Sequence, residues 1–336
     1  MKQLFVLLLA VAAMVSCSKN ESVTGPDVPA DGVEIKASSM VRTIESKAPF
    51  EGAISATQNL TAKVLISTVT GDYSSPIHNG TLTFTQAGTS TGFTPAVYYP
   101  SSTADSPVYL VGLYPSTGWG NVQNSNEIEY TFDGSQDVMA AAEVSGTKAL
   151  AQADTHPAFT FNHLLTKLNL SVKAESAEAA AAWGKVTEIT LEQAGEKTPK
   201  NQMKVALNTG TATFPYEGTG TFSFYAKDGD AYTDNAFTAQ AKELTTDLTE
   251  IAYALVAPIT ADGTKDFKLR VKTQKGSEAE VISMVDIDLT AKEGSTLGDT
   301  KGQAFALTLT FKATEITPSA TVADWIEGGS AGAEIQ

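Results

Sequence analysis

The chain has 336 residues, a formal net charge of −15 and a single cysteine, Cys17. This is about twice the length of a common domain, so we expect two domains, each large enough to bury a core. A strongly acidic chain without a Lys/Arg cluster repels phosphate backbones, which argues against nucleic acid as a partner. One cysteine cannot form a disulfide within the chain, which excludes a disulfide-stabilised fold.

The first residues have the pattern of an export signal. Lys2 precedes an apolar run over 4–15, and Ser16 stands directly before Cys17. The run is too short to span a membrane, so residues 1–16 are predicted to be a secretory signal. A cysteine directly after such a signal predicts lipidation of Cys17, which would anchor the mature chain by acyl groups. A plain cleaved signal followed by an incidental cysteine is the alternative.

The segment 17–31 is polar and contains Gly25, Pro26 and Pro29. This composition is typical of a flexible tether between an anchor and a folded region. The folded part is therefore predicted to begin near residue 32.

Alternation of apolar and polar residues recurs along the rest of the chain, and a period of two indicates half-buried strands. The clearest segments are 168–172, 267–271, 285–289 and 305–311. Each has one apolar face, whose natural partner is a second sheet. Only 174–183, which is rich in Ala and Glu and ends at Gly184, favours a helix. The predicted fold class is all-β, with two β-sandwich domains in tandem.

Two further segments, 108–114 and 251–257, are apolar throughout and end at prolines, which predicts strands buried on both faces. Dipeptides that favour tight turns separate the predicted strands. They are Asn79-Gly80, Asp133-Gly134, Asp228-Gly229 and Asp262-Gly263. The polar run 145–157 is the predicted domain boundary, which gives an N-terminal sandwich over 32–157 and a C-terminal one over 158–336.

Residues that could carry chemistry are few. The three histidines, His78, His156 and His163, have no second His or Cys at metal-binding spacing, and no phosphate loop or nucleophile motif is present. We therefore expect no metal, no cofactor and no enzymatic activity, although a glycosidase carboxylate pair leaves no mark in sequence. His163 alternates with Phe159 and Phe161, which predicts a buried histidine that bonds a backbone group at the domain junction.

Three segments carry a family resemblance: Val15-Ser-Cys-Ser-Lys-Asn-Glu21, Phe159-Thr-Phe-Asn-His-Leu-Leu-Thr-Lys-Leu168 and Ala323-Asp-Trp-Ile-Glu-Gly-Gly329. Together with the overall organisation, they resemble the fimbrillin-like pilus lipoproteins of Bacteroides and its relatives. The resemblance implies two transthyretin-like β-sandwich domains and export as a lipoprotein to the outer membrane and the cell surface. It also implies a structural subunit of an adhesive surface pilus. A trypsin-like protease would remove an N-terminal strand, and a strand from another pilin subunit would fill the groove left behind.

The sequence offers candidates for each of these parts. Val33, Ile35 and Ala37 alternate with polar residues, so 33–37 is the predicted first strand. The candidate maturation site is the Arg42-Thr43 bond, and the second choice is Lys47-Ala48. An ordinary loop arginine at position 42 is the alternative.

The C-terminal tail is the candidate donor strand. It contains a flexible pair, Gly328-Gly329, among residues that could fill a groove. These residues are Val322, Trp325, Ile326 and Ile335. The alternative is that the tail completes its own C-terminal domain.

A second class of protein, the lipid-anchored outer-membrane glycan-binding protein, also places β-sandwiches behind a lipidated cysteine. It would need exposed aromatic rings on which sugars stack. Trp119, Tyr98 and Tyr99 are the candidates for such a platform.

Overall fold

The computed structural model of the chain describes residues 32–41, 54, 58–100, 103–195, 197–215, 222–228, 231–261, 265–290 and 299–322. Most of the residues predicted to be processed or donated lie outside these ranges. They are Cys17, Arg42, Thr43, Lys47, Ala48, Trp325, Ile326 and Ile335. Their proposed roles therefore stay predictions.

Strands dominate the described residues, which confirms the all-β class. In the first half of the chain they are β1 (Lys36–Val41), β2 (Leu60–Ser67), β3 (His78–Phe84), β4 (Thr91–Gly92), β5 (Pro107–Tyr114), β6 (Glu127–Thr131), β7 (Met139–Thr147) and β8 (Ala158–His163). In the second half they are β9 (Thr166–Ala174), β10 (Lys185–Ala194), β11 (Gln202–Ala206), β12 (Thr211–Thr213), β13 (Phe222–Ser223), β14 (Tyr225–Asp228), β15 (Ala231–Ala236), β16 (Lys242–Glu243), β17 (Thr249–Val256), β18 (Phe267–Gln274), β19 (Val281–Ile287), β20 (Ala304–Phe311) and β21 (Ile316–Val322). Two short helices, α1 (Lys148–Gln152) and α2 (Ala177–Trp183), and a 3-10 turn (Phe237–Ala239) complete the elements.

A seven-stranded sheet holds the first eight strands except β6, in the order β3-β2-β5-β7-β8-β1-β4. Its pairs are antiparallel apart from β1 and β8, which run parallel. The strand β5 has buried side chains on both faces of the sheet, because each face packs against a different core. Val108 and Leu110 join a core with Phe159 and Phe161, whereas Val111 joins the larger core of the second half. The predicted burial of 108–114 on both faces is confirmed.

Two further sheets face each other in the second half. One has six strands in the order β15-β14-β17-β9-β20-β21, and the other has the order β13-β10-β18-β19 with β16 beside β10. The alternating apolar residues of β9, β18 and β20 are buried together in one core, since each strand turns its apolar face to the opposite sheet. The sandwich arrangement predicted from alternation is thus present.

A three-stranded sheet, β12-β11-β6, joins strands from the two halves. β8, predicted to open the C-terminal domain, pairs instead with β7 and β1 in the seven-stranded sheet. Backbone pairing therefore places 158–163 with the N-terminal strands. The division into two domains stays a prediction.

Local sequence accounts for α2. The Ser176 hydroxyl accepts from the Ala179 N–H (3.2 Å) at its N-cap, and Gly184 ends it at a φ of 73°. The helix begins later than predicted because β9 continues to Ala174. The expected turn at Asn79-Gly80 is wrong: both residues lie in β3, where pairing with β2 overrides the local turn preference. No helix among the described residues is long and apolar enough to cross a membrane.

Candidate functional site

The first described strand, β1, lies inside the seven-stranded sheet rather than at its edge. On one side it pairs in parallel with β8, from Ser38 opposite Ala158 to Val41 opposite Phe161. On the other side, Lys36 lies opposite Gly92 of the short strand β4. We call the space that residues 33–41 occupy the β1 slot.

Backbone hydrogen bonds line both sides of the β1 slot. In chain order of the slot residue, they join the Val33 carbonyl to the Tyr99 N–H (3.0 Å), the Ile35 N–H to the Val97 carbonyl (2.7 Å), the Ser38 N–H to the Pro157 carbonyl (2.9 Å) and the Ser39 carbonyl to the Gly88 N–H (2.8 Å). Removal of the segment would therefore expose donors and acceptors on two flanking stretches of chain, each of which needs a new partner.

Alternate side chains of this segment point into the core. Ile35 and Ala37 are 0% exposed and Ser39 is 1% exposed, whereas Met40 is 51% exposed. Ile35 and Ala37 lie in the core cluster that also contains Phe159 and Phe161. The Ser39 hydroxyl is buried without a hydrogen-bond partner among the described residues. The slot thus accepts one large apolar side chain followed by two small ones.

The predicted first strand, 33–37, is partly reproduced. Its inward residues Ile35 and Ala37 are buried as alternation predicts. The regular strand nevertheless runs from Lys36 to Val41, because β8 offers a parallel partner up to Val41. The sequence next to Val41 is Arg42-Thr43, so the predicted maturation bond follows the strand at once.

Towards the end of the described residues, β21 is the last strand of the six-stranded sheet and pairs with β20. On its other side, Thr321 forms an isolated bridge with Thr290. Val322, predicted to belong to a donor strand, lies opposite Phe305 of the same chain. The structure thus places Val322 at the end of an intramolecular strand, and the residues of the proposed donor that follow it lie outside the described part.

His163 ends β8, and the structure gives it a charged neighbour that the sequence did not reveal. Its Nδ1 lies 2.8 Å from Oδ2 of Asp137, and both side chains are buried. The expected partner was a backbone group. Asp137 lies 26 residues before His163, and no sequence motif links the two positions.

The aromatic residues considered for sugar stacking are packed against the protein. The Trp119 ring lies 4.7 Å from that of Tyr130, and its Nε1–H donates to the Pro115 carbonyl (2.7 Å). Tyr99 is buried, and Tyr98 forms a backbone bridge with Glu34. These three residues do not form a shared exposed platform. Within the described ranges, no group of three or more His, Cys, Asp or Glu side chains is placed to hold a metal ion.

Solved structures that are similar to this chain include proteins from Bacteroides. A candidate cell adhesion protein from Bacteroides uniformis has a TM-score of 0.54 at 19% identity, over 88% of this chain and 99% of its own. One from Bacteroides ovatus has a TM-score of 0.51 at 15% identity, over 87% and 98%. A fimbrial protein from Bacteroides vulgatus reaches 0.45 at 15% identity, over 86% and 99%.

No family model and no curated protein matches the sequence. The structural matches show a shared fold at low identity. That fold is the one carried by proteins named for cell adhesion, in agreement with the fimbrillin-like resemblance of the sequence.

Proposed function

We propose that this chain is a structural subunit of an adhesive pilus at the cell surface, assembled when β1 is removed and a strand of another subunit enters the β1 slot. The observation that carries the proposal is the position of β1. It is a short N-terminal strand hydrogen-bonded on both sides, and an arginine follows it directly.

Strand addition fits the chemistry that a vacated slot would present. The exposed backbone groups beside β8 and near Val97 would supply affinity, and the positions of Ile35, Ala37 and Ser39 would supply register. An unpaired row of donors and acceptors beside an apolar groove is unstable in water. The slot would therefore favour a replacement strand over an empty state.

Maturation requires that the segment carrying β1 be released. A trypsin-like protease acting at Arg42-Thr43, or second at Lys47-Ala48, would separate β1 from the rest of the folded chain. The precursor would be held at the outer membrane by lipid on Cys17, and the cut would free it from that anchor. Export, lipidation and cleavage would thus precede polymerisation.

The C-terminal tail has the side-chain sizes that the slot requires. The slot takes a large residue and two small ones at alternating positions, as Ile35, Ala37 and Ser39 do now. Two stretches of the tail have this pattern at alternate positions. Read in the chain direction of β1, they are Ile326, Gly328 and Ser330; read in the opposite direction, they are Ile335, Ala333 and Ala331. The variants Ile326→Asp and Ile335→Asp would distinguish the two stretches. Only the variant whose side chain enters the apolar slot should lose polymerisation, because a buried carboxylate is costly.

Limited proteolysis tests the proposal. The chain lacking residues 1–17 is treated with trace trypsin, its fragments are sequenced from their N-termini, and products are separated on native gels. We expect one early cut after Arg42 or Lys47, followed by a ladder of polymers. The matched variants Arg42→Gln and Lys47→Gln assign the cut. A cut that leaves only monomer, or full resistance, would contradict the proposal.

A further inference from the structure

A cavity of about 420 Å³ lies at the seam between the two halves of the chain. One wall is 130–136, the end of β6 and the turn after it, and a second is 222–225 in β13 and β14. Asn201, directly before β11, lies on a third side. We call this cavity the seam pocket. Its volume lies within the range of about 300–1,000 Å³ that ligand sites usually have.

Hydrogen bonds between distant segments fix the walls of the seam pocket. The Tyr225 hydroxyl donates to the Asp133 carbonyl (3.2 Å), and the Phe132 N–H donates to the Asn201 carbonyl (2.9 Å). From behind, the Tyr253 hydroxyl donates to the Ser135 carbonyl (2.7 Å). Three segments far apart in sequence are thus tied together, so the pocket is formed before any ligand arrives.

Aromatic rings form the inner wall. Tyr130, Phe132, Phe222 and Tyr225 are each less than one tenth exposed, and the Phe132 and Phe222 rings lie 5.8 Å apart. They offer ring edges and apolar surface rather than charge. Since the protein covers most of each ring, the wall leaves only a small apolar surface for a ligand.

Neutral polar groups surround the mouth. Gln136 is exposed and Asn201 is half-buried, and each amide can both donate and accept. Asp133 is exposed beside them and accepts from the Ser135 hydroxyl (2.7 Å). No Lys, Arg or His is found among the described residues that line the pocket. A phosphate or a carboxylate would therefore meet Asp133 without a countercharge.

The geometry points to the seam pocket as a binding site for a neutral mono- or disaccharide. Hydroxyl groups of the sugar would bond Gln136 and Asn201, and its C–H groups would contact the small apolar surface that the inner wall leaves exposed. A simple hydrocarbon would leave the amides without partners, and an anion would be repelled. The inference does not depend on strand exchange, because no residue of the pocket belongs to the β1 slot.

Saturation-transfer NMR on the soluble chain tests this inference. The probes are neutral sugars such as galactose, mannose, fucose and lactose at millimolar concentration, with glucuronic acid and glucose 6-phosphate as anionic controls. We expect transfer to at least one neutral sugar and weaker transfer to the anionic ones. The double variant Asn201→Ala with Gln136→Ala should bind about tenfold more weakly, because it removes the polar contacts of the mouth.

Two further variants separate the pocket from the rest of the surface. Ser223→Trp should abolish binding by filling the pocket, and Asn79→Ala, which removes an exposed amide on β3, should leave it unchanged. Circular dichroism and elution volume verify that each variant is folded. The inference is overturned if no neutral sugar binds the unmodified chain, or if folded variants of Asn201, Gln136 and Ser223 bind as well as it does.

Discussion

The imidazole Nδ1 of His163 lies 2.8 Å from the carboxylate Oδ2 of Asp137, and the two residues are 5% and 0% exposed. His163 is the last residue of β8 and lies opposite Met139, where β7 begins. Directly after it, the Leu164 N–H donates to the Val138 carbonyl (2.9 Å). The pair therefore fixes the point at which the chain leaves the seven-stranded sheet and enters β9.

Replacing His163 by Ala should lower the free energy of unfolding by about 3 kcal/mol, because Asp137 would stay buried without its imidazole partner. Urea unfolding measures the change. The comparison variant Asp154→Asn should cost less than about 1 kcal/mol, since the Asp154 carboxylate, 3.3 Å from His156, is 98% exposed. Equal losses for the two variants would show that the buried pair has no special weight.

Stability should fall at alkaline pH through two tyrosines. Burial, with a smaller contribution from the charge of Asp137, raises the pKa of Tyr114 to about 12. Burial also raises the pKa of Tyr73 far above its usual range, aided by the hydrogen bond that its hydroxyl donates to Glu143 (2.7 Å). Tyrosine in the unfolded chain titrates near pH 10.

Because the folded state holds these protons more tightly, their stabilisation is complete below about pH 10 and declines above it, and the part due to Tyr114 is lost as the pH rises through about 12. Urea midpoints measured at successive pH values should therefore decline over this interval. Absorbance at alkaline pH should show late-titrating tyrosines, and Tyr114→Phe should remove one of them. A flat stability profile up to pH 12 would contradict the assignment.

Ile35 and Met40 provide a matched pair in the segment that carries β1. Ile35→Ala should destabilise the uncut chain by about 2–4 kcal/mol, because it empties a fully buried position. Met40→Ala should change stability by less than about 0.5 kcal/mol, since this side chain is half exposed. Chemical unfolding of the two variants measures the difference. If both were neutral, the slot would not depend on its large inward side chain.

Alanine variants of Gly134 and Gly71 test whether the backbone at Gly134 must lie close to the Phe222 ring. Both have positive φ, 98° and 66°, so alanine should cost about 1–2 kcal/mol at either position. At Gly134 a Cβ would also collide with the Phe222 ring, whereas at Gly71 no atom lies within 4 Å. Gly134→Ala should therefore cost about 1–3 kcal/mol more than Gly71→Ala. Thermal or urea unfolding would reveal the gap, and its absence would show that the ring can move aside.

Much of the fold could be predicted from local sequence because alternation records which residues face a core. It found β9, β18 and β20, and it found the inward positions Ile35 and Ala37 of the candidate site. The same signal failed between Ser38 and Val41, where the strand continues because a distant partner is available. Ser39 is buried although its side chain is polar, so the alternation of apolar residues does not reveal that it faces the core.

Long-range pairings could not be predicted in this way. The parallel contacts of β1 with β8 and of β9 with β20 join segments far apart in the chain. The local sequence of a strand does not identify its pairing partner. The three-stranded sheet that links the halves and the Asp137 partner of His163 are missed for the same reason. Asn79-Gly80 shows the converse, because a strong local turn preference yields to pairing with β2.

The parallel contact between β1 and β8 also bears on the order in which the sheet forms. β2, β3, β5, β7 and β8 are joined as antiparallel neighbours along the chain and can assemble through comparatively short loops. β1 closes a much longer loop and must wait until β8 has been synthesised, which delays its pairing. We therefore expect β1 to join the sheet late and to detach by local opening that leaves the other strands folded. The first described strand of the chain would then join the sheet after strands that are synthesised later.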